Sequence, residues 1–99
     1  MTEDQLLSAV LDLAMRLRWH AYHVRNSRAG IVQGETGFPD LVLLRDGRLV
    51  FAELKSEGGG VTGPQAGWLA RLSDALGPAN VFVWRPADWL DGTIERELR

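Results

Sequence analysis

Residues 37–55 read Gly-Phe-Pro-Asp-Leu-Val-Leu-Leu-Arg-Asp-Gly-Arg-Leu-Val-Phe-Ala-Glu-Leu-Lys, and the fold turns on them. Asp46-Gly47 separates two hydrophobic runs, Asp40–Arg45 and Arg48–Lys55. Asp-Gly in that setting is the strongest short signal for a β-hairpin, because a type I′ turn needs positive φ at both central residues. A two-residue turn there sets Arg45 opposite Arg48 and, further back along both strands, Asp40 opposite Glu53, with Cβ atoms roughly 4.5–5.5 Å apart. Side chains alternate faces with period two, so Lys55 shares the face of Glu53. Asp40, Glu53 and Lys55 are therefore expected together at one end of a face that otherwise carries Val42, Leu44, Leu49 and Phe51. Both runs are apolar on both faces, which predicts central strands in a sheet covered on two sides.

Two adjacent carboxylates repel, and one of them gains a raised pKa unless a cation lies between them. An all-oxygen ligand set with no His or Cys suits Mg²⁺ or Mn²⁺ rather than zinc. Lys55 could orient or deprotonate a water on such an ion, or stabilise charge developing on a phosphate. Of the 11 basic residues Lys55 is the only Lys. Lys is a compact donor whose pKa shifts readily, and Arg is neither. The plainer alternative is a cross-strand salt-bridge cluster at a sheet edge.

Outward from the hairpin, Thr2 and Gln5 form a capping box that opens a helix running to about Trp19. Leu6, Leu7, Val10, Leu13, Ala14 and Leu17 recur on its apolar side at helical spacing. Ala21–Arg25 is a short strand candidate, and Asn26–Gly37 is a polar, Gly-containing loop. After a loop at Gly58–Gly63, Gly63-Pro64 opens a second helix that continues to about Leu76 and ends at Gly77-Pro78. Asn80–Arg85 is a further strand. Pro86 onward is read as a tail with a short helix around Ala87–Leu90. The order α-β-β-β-α-β predicts one α/β domain, residues 1–99, with a mixed central sheet flanked by helices.

Ninety-nine residues, 45% hydrophobic and 24% charged, make one globular domain with a thin margin between burial and chain entropy. The absence of Cys excludes disulfides, Cys-ligated zinc and thiol catalysis. No apolar run approaches the ~20 residues that span a bilayer, and Met1–Asp4 is acidic where a signal peptide is basic. A cytoplasmic protein with no membrane partner is expected. The net charge of −2 argues against coating nucleic acid by charge alone.

Gly37-Phe38-Pro39-Asp40 followed by Glu53-Leu54-Lys55 resembles the signature of the PD-(D/E)XK nuclease superfamily. The wider pattern resembles its virus-type replication–repair nuclease branch, VRR-NUC. It comprises an early helix with Glu3 near its start, the Pro-Asp hairpin, the Glu-x-Lys, a Gly-containing loop and a helix opening with Gln65. The likeness spans Glu3 to Trp84. It implies a restriction-endonuclease-like fold and divalent-metal-dependent hydrolysis of phosphodiester bonds. On that basis Asp40, Glu53 and the backbone carbonyl of Leu54 are expected to bind Mg²⁺ or Mn²⁺, with Glu3 as a third carboxylate. An acid in a first turn also suits the helix dipole, which is the competing reading of Glu3.

Gln65, one turn before Trp68 and Leu69, points inward and could hold a phosphate or a water; it could equally be a capping-box partner of Thr62. Removing Asp40, Glu53 and Glu3 from the charge count leaves 11 basic against 10 acidic residues, or +1. Arg25, Asn26, Arg28 and Ser56 are candidate phosphate contacts, or ordinary solvated surface. His23 is left out of catalysis, and the four Trp are read mainly as core or interface. A chain this small offers DNA little surface, so a homodimer cutting branched DNA such as a four-way junction is expected, with no organic cofactor. Phage origin suits so compact a form. Val81–Trp84, Trp89 and Leu90 are interface candidates. The competing classes are a nucleic-acid-binding module that keeps the fold without cutting, and a metal-binding or partner-recognition domain.

Overall fold

The computed structural model describes residues 1–24 and 33–99. Their elements in chain order are α1 (Glu3–Arg16), β1 (His20–His23), β2 (Leu41–Arg45), β3 (Arg48–Leu54), α2 (Gly63–Leu76), a 3₁₀ turn (Pro78–Asn80), β4 (Val81–Trp84), α3 (Pro86–Leu90) and α4 (Thr93–Leu98). One sheet runs β1-β2-β3-β4. The first two pairings are antiparallel and β3–β4 is parallel, so the sheet is mixed, as expected. Helix α2 is the crossover between the two parallel strands.

The hairpin forms in the register the turn demands, from Arg45↔Arg48 to Leu41↔Ala52. Asp46 and Gly47 carry φ of 49° and 78°, the two positive values of a type I′ turn. The ladder stops one residue short of the expected Asp40↔Glu53 pair, because Asp40 bends out of β2 and uses its own groups to bridge the neighbouring strands. Its carbonyl accepts from Val24 N–H at 2.7 Å and its carboxylate accepts from Leu54 N–H at 2.8 Å.

The core lies on the α1 side of the sheet. Leu6, Val10 and Ala14 of α1 bury against Leu41, Leu43, Val50, Ala52 and Leu54. The opposite face is covered less completely than expected: Phe51 is buried, but Leu44 is 46% exposed. Contacts explain the difference, since α2 packs on β4 rather than across β2. Helix α1 ends at Arg16, not near Trp19, because Arg18 adopts a left-handed φ of 68° that reverses the chain into β1. The first strand begins a residue earlier than expected and ends sooner, at His20–His23, and the last is trimmed at both ends to Val81–Trp84.

Past Pro86 the chain is not a tail. Beyond α3, helix α4 buries Ile94 and Leu98 in the core. Trp19 Nε1 donates to Leu98 O at 2.8 Å, and Arg48 binds Glu97 at 2.6 Å. Trp84 is 2% exposed, which removes it from the candidate interface; Leu90 is 77% exposed. No helix among the described residues is long and apolar enough to cross a membrane.

Candidate active site

Three elements meet at one end of the sheet, where β3 finishes and β2 and α2 begin. Strand β3 delivers Glu53 and then Lys55, whose backbone N–H is held by Trp84 O of β4 at 3.0 Å. The bend before β2 delivers Asp40, with Pro39 fully buried behind it. The capped start of α2 delivers Gln65.

Glu53 is 2% exposed and Asp40 8%; among the described residues they are the buried polar ones. Lys55 Nζ lies 3.3 Å from Glu53 Oε2, with the Lys side chain 12% exposed. Gln65 fills both roles open to it. Its Oε1 accepts from Thr62 N–H at 3.0 Å, closing the capping box, while Nε2 donates to Glu53 Oε2 at 3.0 Å. One amide thus fixes the helix start and the carboxylate, and the cap aims the amide. Glu53 Oε1 is buried with no donor among the described residues.

The Glu53 carboxyl is pushed up to about 7 from an ordinary 4.5. Burial is the main cause and the neighbouring Asp40 carboxylate the next, while the Lys55 ammonium pulls the other way. A buried Glu–Lys pair with a second acid beside it is poor architecture for stability, since desolvation outweighs much of the attraction. A proton or a hard cation between the carboxylates relieves both the repulsion and the orphaned oxygen. That donor set, two carboxylates with carbonyl oxygen nearby, fits Mg²⁺ or Mn²⁺.

Across the sheet end lies a cavity of about 170 Å³ lined by Glu3, Asp4, Leu7, His23, Asp40 and Leu54, among others. Asp40 is the hinge between this cavity and the Glu53–Lys55–Gln65 group. Glu3 is exposed on its rim, on the cavity with Asp40 and Leu54 but on the far side of the sheet from Glu53. Among the described residues no three His, Asp or Glu side chains are gathered closely enough to hold a metal alone. Two carboxylates, not three, form the compact cluster.

Arg25, Asn26 and Arg28 lie outside the described residues. Ser56 is half-buried, and its carbonyl is taken by Arg85. The sequence reading missed Arg85 altogether: its Nη1 donates to Ser56 O at 2.7 Å and Gly59 O at 2.6 Å, pinning the loop that follows Lys55. No local signal marks this role, which depends on β4 lying beside β3. Asp4 and His23 were also passed over as cavity residues. For His23 the signal was its position, since it pairs with Leu41 next to Asp40.

Gly37 has φ of 94°, and a Cβ there would sit 2.6 Å from the Pro64 carbonyl carbon. Only glycine permits so close a seat for the residues before Asp40 on the start of α2. Phe38 then packs edge-on against Phe51 and Trp68, and Trp68 Nε1 donates to Thr36 O at 3.0 Å. Fold and site together define a small α/β domain with an acid–lysine cluster at the ends of its central strands. Compared with protein-family models, curated proteins and solved structures, the chain matches none.

Proposed function

We propose that the protein is a metal-dependent endonuclease of the restriction-endonuclease-like, VRR-NUC type, acting on DNA phosphodiester bonds. The observation that carries this reading is the buried Asp40–Glu53 pair, with Lys55 and Gln65 on Glu53 Oε2 and with Glu53 Oε1 lacking a donor among the described residues. Such a group is costly for stability and suited to a cation and a phosphate. Asp40, Glu53 and the Leu54 carbonyl are the residues that would hold Mg²⁺ or Mn²⁺, and Glu3, on the same cavity as Asp40, would hold a second ion. When bound, the ion supplies charge neutralisation at phosphorus and a water of lowered pKa.

The chain's own residues do the rest. Gln65 holds Glu53 through Oε2 and so leaves the buried Oε1 for a cation. Leu54 N–H fixes Asp40 in the same way. Lys55, anchored by its backbone to β4 and by its ammonium to Glu53, orients the attacking water and stabilises the charge that builds on the phosphate in an in-line displacement. Branched DNA bound by two copies of the chain is the substrate and assembly we favour.

Labelled four-way junction, flap, duplex and single-stranded DNA, each incubated with Mg²⁺, Mn²⁺ or EDTA, test the proposal. Metal-dependent cutting by the native chain, lost in Lys55→Ala and in Asp40→Asn, is the expected result. Tight binding without cutting under any metal would leave a nucleic-acid-binding module of the same fold in its place.

A further inference from the structure

A second groove, of about 540 Å³, runs between residues 34–36 and one side of α2. The α2 wall carries Gly63, Pro64, Gly67 and Arg71. Gly63, Gly67 and Arg71 stack one turn apart, so the wall is bare backbone ending in a guanidinium. Arg71 Nη1 lies 2.9 Å from where a Cβ on Gly67 would sit, so the guanidinium folds back across the glycine toward the start of the helix.

Arg71 has no hydrogen bond or ion pair among the described residues. That sets it apart, because Arg16, Arg45, Arg48, Arg85, Arg96 and Arg99 each hold a carboxylate or carbonyl. Arg18 shares the condition, but it lies beyond the far end of α1 from Glu3, about 20 Å away at 1.5 Å per residue. Both walls of the groove lead along the chain to the acid–lysine cluster. Pro64 on its wall is followed by Gln65, whose amide binds Glu53, and Thr36 on the other wall accepts from Trp68.

We propose that this groove takes the phosphodiester backbone of the DNA strand as it leaves the acid–lysine cluster, with Arg71 as a phosphate contact. The inference rests on the nuclease reading above and extends it to a part of the substrate away from the scissile bond. Bare glycine backbone allows a sugar–phosphate chain to approach closely, and a lone unengaged cation marks where a phosphate rests. A peptide partner would want a large apolar anchor, and the groove has none larger than Pro64. Glu35 on the opposite wall opposes an anion, which gives the proposal a second, opposite-signed handle.

The test titrates labelled four-way junction and duplex DNA into the full chain carrying Lys55→Ala, so that strands stay intact with Mg²⁺ present. Adding Arg71→Ala should weaken binding roughly five- to tenfold and flatten the slope of log affinity against log salt by about one. Glu35→Gln should tighten it, and Arg18→Ala should change neither quantity. Arg71→Lys should recover part of the loss. In the otherwise native chain, Arg71→Ala should raise the DNA concentration that half-saturates cutting and leave the rate at saturation nearly intact. Arg18, Glu35 and Arg71 are exposed, so their substitution should leave the melting temperature unchanged. If the native chain cuts DNA and Arg71→Ala behaves like Arg18→Ala, the groove is not a strand path and the nuclease reading survives. A weaker variant with an unchanged salt slope likewise overturns the phosphate contact. Neither binding nor cutting by the native chain overturns both.

Discussion

Glu53 is the residue on which stability and activity pull in opposite directions. Its carboxyl titrates near 7 in the fold and near 4.5 when exposed, so the folded state holds a proton that the unfolded state has released between those values. Stability from this group is full below about pH 4.5 and is lost as pH rises through 7, the reverse of an ordinary paired acid. Thermal melts in EDTA should therefore show a stability contribution falling by on the order of 2–3 kcal/mol across that window. Glu53→Gln keeps the shape, accepts from Lys55, and should melt several degrees higher than the native chain at pH 8. The same variant should not cut DNA. Gly37→Ala makes the opposite case. A forced left-handed alanine pressed on the Pro64 backbone should cost on the order of 2–3 kcal/mol, read as a lower urea midpoint, and should shift Gln65 off Glu53.

Among the elements, α4 was invisible to the sequence reading and yet closes the core. Thr93–Leu98 is only six residues long, too short to hold a helix by local propensity. What holds it is tertiary: Ile94 and Leu98 bury completely, Trp19 caps Leu98 O, and Glu97 pairs with Arg48. Leu98→Ala should cost about 2–5 kcal/mol, and deleting residues 93–99 should leave a chain without a cooperative melt. The hairpin is the contrasting element, because its cause is local. Gly47 has open space around it, so Gly47→Ala should cost only the left-handed backbone term, about 1–2 kcal/mol by urea denaturation.

For the molecule as a whole, the site is built where two layers end and neither covers the other. Helix α1 closes one side of the sheet and α2 part of the other, and the ends of β2 and β3 emerge between them with Asp40 and Glu53. A divalent ion that binds only the folded state should raise the melting point with concentration, stabilising the fold by about 2.7 kcal/mol at a hundredfold excess over Kd. Mg²⁺ should do so for Lys55→Ala, where the carboxylates remain, and should fail to do so for Asp40→Asn. Calorimetry on the two variants separates holding the ion from using it.

Much of the fold was legible because its signals are local and periodic. Asp46-Gly47 dictates the turn, the turn dictates the register, and the register brings Asp40, Glu53 and Lys55 to one strand end. The capping boxes at Thr2 and Thr62 needed nothing beyond residues three apart. Tertiary structure alone decided that Gln65 would close its cap and bind Glu53 at once, because that depends on where a crossover helix lands. It alone decided that Asp40 leaves the ladder, that Glu3 stands across the sheet from Glu53, and that Arg85 holds the loop after Lys55. Backbone periodicity fixes which residues share a face, whereas the meeting of side chains from different elements depends on how the layers pack, and that is a property of the whole chain.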